Sequence, residues 1–247
     1  MESWDPAGVA HLESILVRLS EIGLTDFLRG KVRAVWTANR DRHEPEELGD
    51  DSWTLASQSS RNLANLVHAD VEGDSQWRSV GVSATKEHNA AVLHVLGAEL
   101  RLVKVPAQAG RRPGFASDFE WREGARLDAA ERNNAVCGAL APMLGMASLF
   151  EVERPQGEHP VRACRDVFVV WAGDPASGLT SGWLGLPTTG PDRWLAVVLA
   201  WRDEPQPTSV NTDKTTPQPG DVPSFGNGTA PKPAVTLKPQ VGKGTQT

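Results

Sequence analysis

The sequence predicts an α+β domain. An N-terminal helical hairpin comes first, then a mostly antiparallel sheet with flanking helices, then a disordered C-terminal tail. Three observations carry this. Apolar residues recur at helical spacing through the first 45 positions. Short β-rich runs bounded by turn residues follow, between Trp77 and Val105 and again between Val167 and Trp201. Beyond residue 202 the composition changes: the segment 203–247 holds 8 of the 18 prolines and none of the 9 tryptophans. The reading is one domain over 1–202, with the hairpin at 1–45, and a Pro/Thr/Gly-rich tail over 203–247 that has too little apolar surface to fold alone.

Asp5-Pro6 suits a helix start, with a carboxylate cap and proline at the first helical position. Val9, Leu12, Ile15, Leu16, Leu19 and Ile22 make one stripe, and Gly23 ends it. Thr25 can cap a second helix with Leu28, Val32, Val35, Trp36 and Asn39 along one side. The acidic stretch from Glu44 to Asp51 reads as a turn. A third helix is expected from Ser59 or Ser60 to His68, with Leu63, Leu66 and Val67 inward.

Three strands are expected next. Trp77–Ala84 alternates, with Val80, Val82 and Ala84 on one face. Asn89–Leu96 and Glu99–Val105 flank Gly97-Ala98, which suits a hairpin turn. A loop over 106–118 leads to a helix that starts between Phe119 and Arg126 and ends by Ala141, before Pro142. Ser148–Glu153 reads as a weak strand, Val167–Trp171 and Trp194–Trp201 as strong ones, and Gly182–Leu186 as moderate.

The formal net charge is −6. Four acids and four lysines cancel in the tail, so the body carries the whole of it. An acidic body disfavours broad nucleic-acid binding, which needs many cationic phosphate contacts. The start lacks the order of a signal peptide, and the longest apolar runs are too short to span a bilayer as a helix. No membrane association and a cytoplasmic location are therefore expected, with the 2 cysteines reduced. Scarce Lys and Ile, no Tyr, and abundant Ala, Arg and Gly are what a GC-rich genome would encode.

No metal-ligand spacing such as CxxC, HxxxH or HExxH occurs, so no metal or cofactor is expected. His43, His68, His88, His94, His159, Cys137 and Cys164 are scattered, and only folding could gather them. Gly178-Leu179-Thr180-Ser181-Gly182 has the outline of a nucleophile elbow, but the strand-like Trp183–Leu186 follows where a helix is required. Arg29, Lys31, Arg33, Arg40 and Arg42 on the second helix form a cationic strip beside the acidic turn. Trp171, Trp183, Trp194 and Trp201 crowd the last strands. Trp194 and Trp201 are an odd number of residues apart and face opposite ways on a regular strand, so one of them is a candidate for exposure.

The element order α-βββ-α-β from Ser59 to Trp171, with Glu99-Leu100-Arg101-Leu102-Val103-Lys104 on its third strand, resembles the core of the PD-(D/E)xK nuclease superfamily. The resemblance implies a Mg²⁺ ion held by acids, with a strand lysine beside the activated water. Glu99 stands as the second acid, and Glu87 or Asp74 as its companion. Arg101 occupies the position of the expected lysine, and the nearest lysine, Lys104, falls on the opposite strand face.

Two functions follow as expectations. The first is a non-enzymatic protein-interaction domain that binds a partner through Trp183, Trp194, Trp201, Arg33 or Arg40. The alternative is a divergent Mg²⁺-dependent nuclease or phosphodiesterase that uses Glu99, Glu87, Asp74 and Lys104.

Overall fold

The computed structural model describes residues 4–87, 90–105, 113–121, 124–138, 160–189 and 192–204. The expected tail beyond 204 and the weak strand at 148–153 lie outside them.

Helix α1 (Pro6–Glu21) starts as its sequence dictates: Asp5 Oδ2 accepts from Gly8 N at 2.7 Å, with Pro6 behind it. Leu12, Ile15 and Leu19 are buried. Helix α2 (Leu24–Arg40) follows at once, because Gly23 at φ 78° turns the chain in a conformation that favours glycine. Gly23, not Thr25, is therefore its N-cap. Leu28, Val32, Val35, Trp36 and Asn39 are its buried side. Asn39 donates to Val35 O and accepts from Asn62 Nδ2, both at 2.8 Å, and so ties α2 to the next helix.

Helix α3 (Ser52–Gly73) begins a full two turns before the expected start. Asp51 supplies the cap, accepting from Thr54 N at 2.7 Å. Leu55, Ser59, Leu63 and Val67 line its buried side, whereas Leu66, expected inward, is exposed. Trp77 belongs to a short helix α4 (Ser75–Ser79), not to a strand, because Asp74 Oδ1 caps it on Gln76 N at 2.8 Å. Val80 is exposed in the turn at Gly81, so the alternation around it becomes a strand only from Ser83 onward.

Strands β1 (Ser83–Glu87), β2 (Ala90–Val95) and β3 (Ala98–Lys104) form a meander. The β2–β3 turn sits on Leu96 and Gly97, one residue earlier than expected, with φ 55° and 78°. Positive φ at both central residues gives the twist a two-residue hairpin needs. Helix α5 (Ala125–Gly138) and a 3₁₀ turn (Pro160–Ala163) precede β4 (Asp166–Gly173), β5 (Thr180–Pro187) and β6 (Trp194–Arg202). The sheet order is β1-β2-β3-β4-β5-β6, antiparallel throughout except for the parallel pair β3–β4. A parallel pair needs a crossover, and α5 lies on it.

The central strands are covered on both faces. Helices α1–α3 pack on Leu100, Leu102, Val169, Trp171, Leu184 and Trp201. On the other face Phe115, Phe119, Trp121, Ala129 and Ala130 pack on Phe168, Val170, Trp183 and Trp194. Burial on both sides explains why Val167–Trp171 reads as a continuous apolar run rather than an alternating one.

Asp203 is buried, accepts from Thr180 N at 3.0 Å and Thr180 Oγ1 at 2.7 Å, and pairs with Arg29 at 2.8 Å. Among the described residues, no helix is long and apolar enough to cross a membrane.

Candidate functional site

Each sequence-selected residue has a definite place. Trp194 and Trp201 do face opposite sides of the sheet, but with both faces covered neither is exposed: Trp183, Trp194 and Trp201 are 4%, 2% and 6% accessible. Among the described residues these three tryptophans offer no exposed aromatic surface. The indoles of Trp194 and Trp201 lie over strand glycines instead. A Cβ on Gly185 would overlap Trp194, and one on Gly182 would overlap Trp201. The tryptophan that does face solvent is Trp53, on the first turn of α3.

The strip on α2 is largely answered within the fold. Lys31 pairs with Asp70, Arg29 with Asp203, and Arg40 lies 3.7 Å from Asp41. Arg40 also packs over Gly178 and lowers the pKa of Asp174, though less than Ser177's bond to that carboxylate does. Arg33 is exposed and has no ion pair among the described residues.

Glu87 and Glu99 converge on one face of the meander, and the Arg101 guanidinium stands between them. Its side chain is only 6% exposed; it bonds Glu87, reaches Glu99 at 3.0 Å and lies 3.7 Å from Asp166. Asp166 is held in turn by Arg132, at 2.9 and 2.5 Å. The hydrogen bond from Arg101 holds the Glu87 carboxyl below its usual range. Asp74 is engaged in capping α4. Among the described residues, no group of three His, Cys, Asp or Glu side chains could hold a metal ion.

Lys104 lies on the helix-covered face, as its parity requires. Its Nζ stands 5.2 and 5.5 Å from the ring centres of Trp36 and Trp171, and burial lowers its pKa to about 8.

A site that sequence reading missed lies at the other edge of α1. A cleft of about 640 Å³ opens between α1, the β2–β3 turn and the 3₁₀ turn. Ala7, Ala10, Ile15, Leu96 and Ala98 give it apolar walls, and Arg18, Arg162 and Arg165 give it three cations. No carboxylate lines it among the described residues. His11 Nε2 lies 3.3 Å from the Cys164 carbonyl and donates to it. Burial lowers the pKa of His11, and the charge of Arg162 adds to this against the opposing carbonyl bond. Both effects favour the neutral ring, in which Nδ1 is an acceptor.

Part of this cleft was visible in the sequence. Ala7, His11, Ser14 and Arg18 recur at helical spacing beside the apolar stripe of α1. Arg162 and Arg165 had no such signal, because they reach the cleft only through the crossover.

Folding also gathers the two cysteines. Cys137, on the last turn of α5, and Cys164, ahead of β4, hold their sulfur atoms 2.8 Å apart as free thiols. No family model matches the chain, and no curated protein or solved structure matches it.

Proposed function

We propose that this chain is a protein-interaction domain that takes an acidic segment of a partner protein in the α1 cleft. The observation that carries the reading is a cleft whose charged lining, among the described residues, is wholly cationic, on a body whose net charge is −6. Arg18 comes from α1 and Arg165 from the link between the 3₁₀ turn and β4. Guanidiniums make strong two-point hydrogen bonds to carboxylates. The apolar walls between them offer contact to the side chains of such a segment.

Fluorescence anisotropy of the full chain with labelled Glu-rich peptides tests this. Binding is expected to weaken with salt. Arg18→Glu and Arg165→Glu are each expected to raise Kd about tenfold or more, equivalent to about 1.4 kcal/mol. Binding that ignores both substitutions would place the partner elsewhere.

The alternative, a Mg²⁺-dependent nuclease or phosphodiesterase, draws support from the convergence of Glu87 and Glu99. It is opposed by Arg101, whose charge fills the space between them. Cleavage of labelled DNA or RNA that requires Mg²⁺ and is lost in Glu99→Gln would establish this alternative and displace the binding reading.

A further inference from the structure

Helix α5 is fixed to the start of β4 by consecutive turns of side chains. Arg132 makes the two bonds to Asp166 already described. Buried Asn133 donates to Asp166 O at 2.7 Å and to Pro187 O at 3.2 Å. Cys137 lies one turn further along the same side of the helix. The anchor therefore aims its sulfur at Cys164, which is itself held 4.0 Å from Asn133 O. The neighbouring bond from His11 fixes the Cys164 backbone. Two thiols held in contact by anchored elements need little rearrangement to bond.

We propose that Cys137 and Cys164 form a dithiol redox site that reacts with a small-molecule disulfide and closes an intramolecular disulfide. The inference is independent of what the α1 cleft binds.

The Cys137 thiolate attacks one sulfur of the disulfide R–S–S–R. A Cys137–S–S–R bond forms, the S–S bond of the reagent breaks, and RS⁻ leaves and takes up a proton. Cys164 then gives up its proton, attacks the Cys137 sulfur and expels the second RS⁻, which is protonated in turn. The net exchange oxidises two protein thiols and reduces one disulfide to two RSH.

The roles follow from the environment of each sulfur. Cys137 is half-buried and Cys164 is buried. The Cys164 S–H bond lowers the pKa of Cys137, against burial and the charge of Asp5. The same bond raises the pKa of Cys164, and burial and Asp166 add to it. A thiolate forms first at Cys137, and the thiolate is the nucleophile.

The test uses the full chain and oxidised glutathione. The chain is equilibrated at graded ratios of oxidised to reduced glutathione, quenched with an alkylating reagent and weighed by mass spectrometry. The expected result is one two-electron transition to a species that has lost two hydrogens and takes up no alkyl group. Cys164→Ser is expected to trap glutathione on Cys137. Cys137→Ser is expected to form its adduct about tenfold more slowly at pH 7. Two alkylatable thiols in the folded chain under excess oxidised glutathione would overturn the proposal. A faster adduct on Cys137→Ser than on Cys164→Ser would overturn the assignment of roles. The wild-type titration stands without the variants should either fail to fold.

Discussion

The six-membered ring of Trp201 occupies the space where a Cβ on Gly182 would stand, directly across the β5–β6 ladder. Trp194 does the same to Gly185 on the opposite face. Each indole is thereby packed down onto the sheet rather than presented to a partner. Gly182→Ala and Gly185→Ala are each expected to cost about 1–3 kcal/mol through overpacking. Gly30→Ala, in the middle of α2 with open space around it, is expected to gain about 0.5–1 kcal/mol. Urea melts of the three variants check the contrast, and equal behaviour of all three would refute it.

Arg101 separates Glu87 and Glu99 and faces Asp166 from a buried position. Arg101→Leu leaves those carboxylates without their shared cation. The expected loss is about 3–5 kcal/mol at pH 7. Adding Glu87→Gln to Arg101→Leu is expected to recover part of it. Denaturation of the single and double variants measures the coupling, and strict additivity would argue that the cluster is not one unit.

Lys104 is expected to be a source of instability. Its folded pKa is lowered to about 8 by burial, while the unfolded amine titrates near about 10.4. Below pH 8 both states hold the proton, and the folded state bears the full cost of burying the charge. Between the two values the unfolded chain binds more protons, so stability rises with pH. Lys104→Met is expected to raise Tm at pH 7 by about 2–4 °C, roughly 1 kcal/mol, and to remove that rise. A lower Tm in the variant would mean that the contacts with Trp36 and Trp171 outweigh desolvation.

Asp203 fastens the end of the last strand. Burial pushes its pKa up, but the bonds from Thr180 and Arg29 outweigh this and leave it below the usual carboxylate value. A depressed folded pKa gives stability that is present above about pH 4 and lost as pH falls through the folded value. Asp203→Asn is expected to cost about 1–3 kcal/mol at pH 7. The gap from wild type is expected to narrow in acid, and thermal melts from pH 7 down to 3 follow it.

The helices of the hairpin and the late strands were legible because their signals are local. Asp5-Pro6 and the stripes on α1 and α2 need nothing beyond their own neighbours. The same holds for Val167–Trp171 and Trp194–Trp201. Reading erred where a short polar residue decided the element. Asp51 started α3 early, and Asp74 turned Trp77 into a helix, each through one side-chain bond to a backbone N–H. The candidate site was only half legible: the stripe of His11, Ser14 and Arg18 can be read on α1, but its arginine partners from the crossover cannot.

By itself, the sequence determined the α+β class, the order of most elements, the negative body and the placement of Lys104 opposite Glu99. These depend on periodicity, parity and composition, which are properties of neighbours along the chain. The tertiary structure alone decided that the late-strand tryptophans are core, that Arg101 lies between the two glutamates, and that Cys137 meets Cys164 beside a cationic cleft. The meeting of the cysteines depends on the crossover that brings α5 and β4 to β3, the burial of the tryptophans on the layers over the sheet, and the place of Arg101 on the β1–β3 meander, contacts that no local pattern encodes.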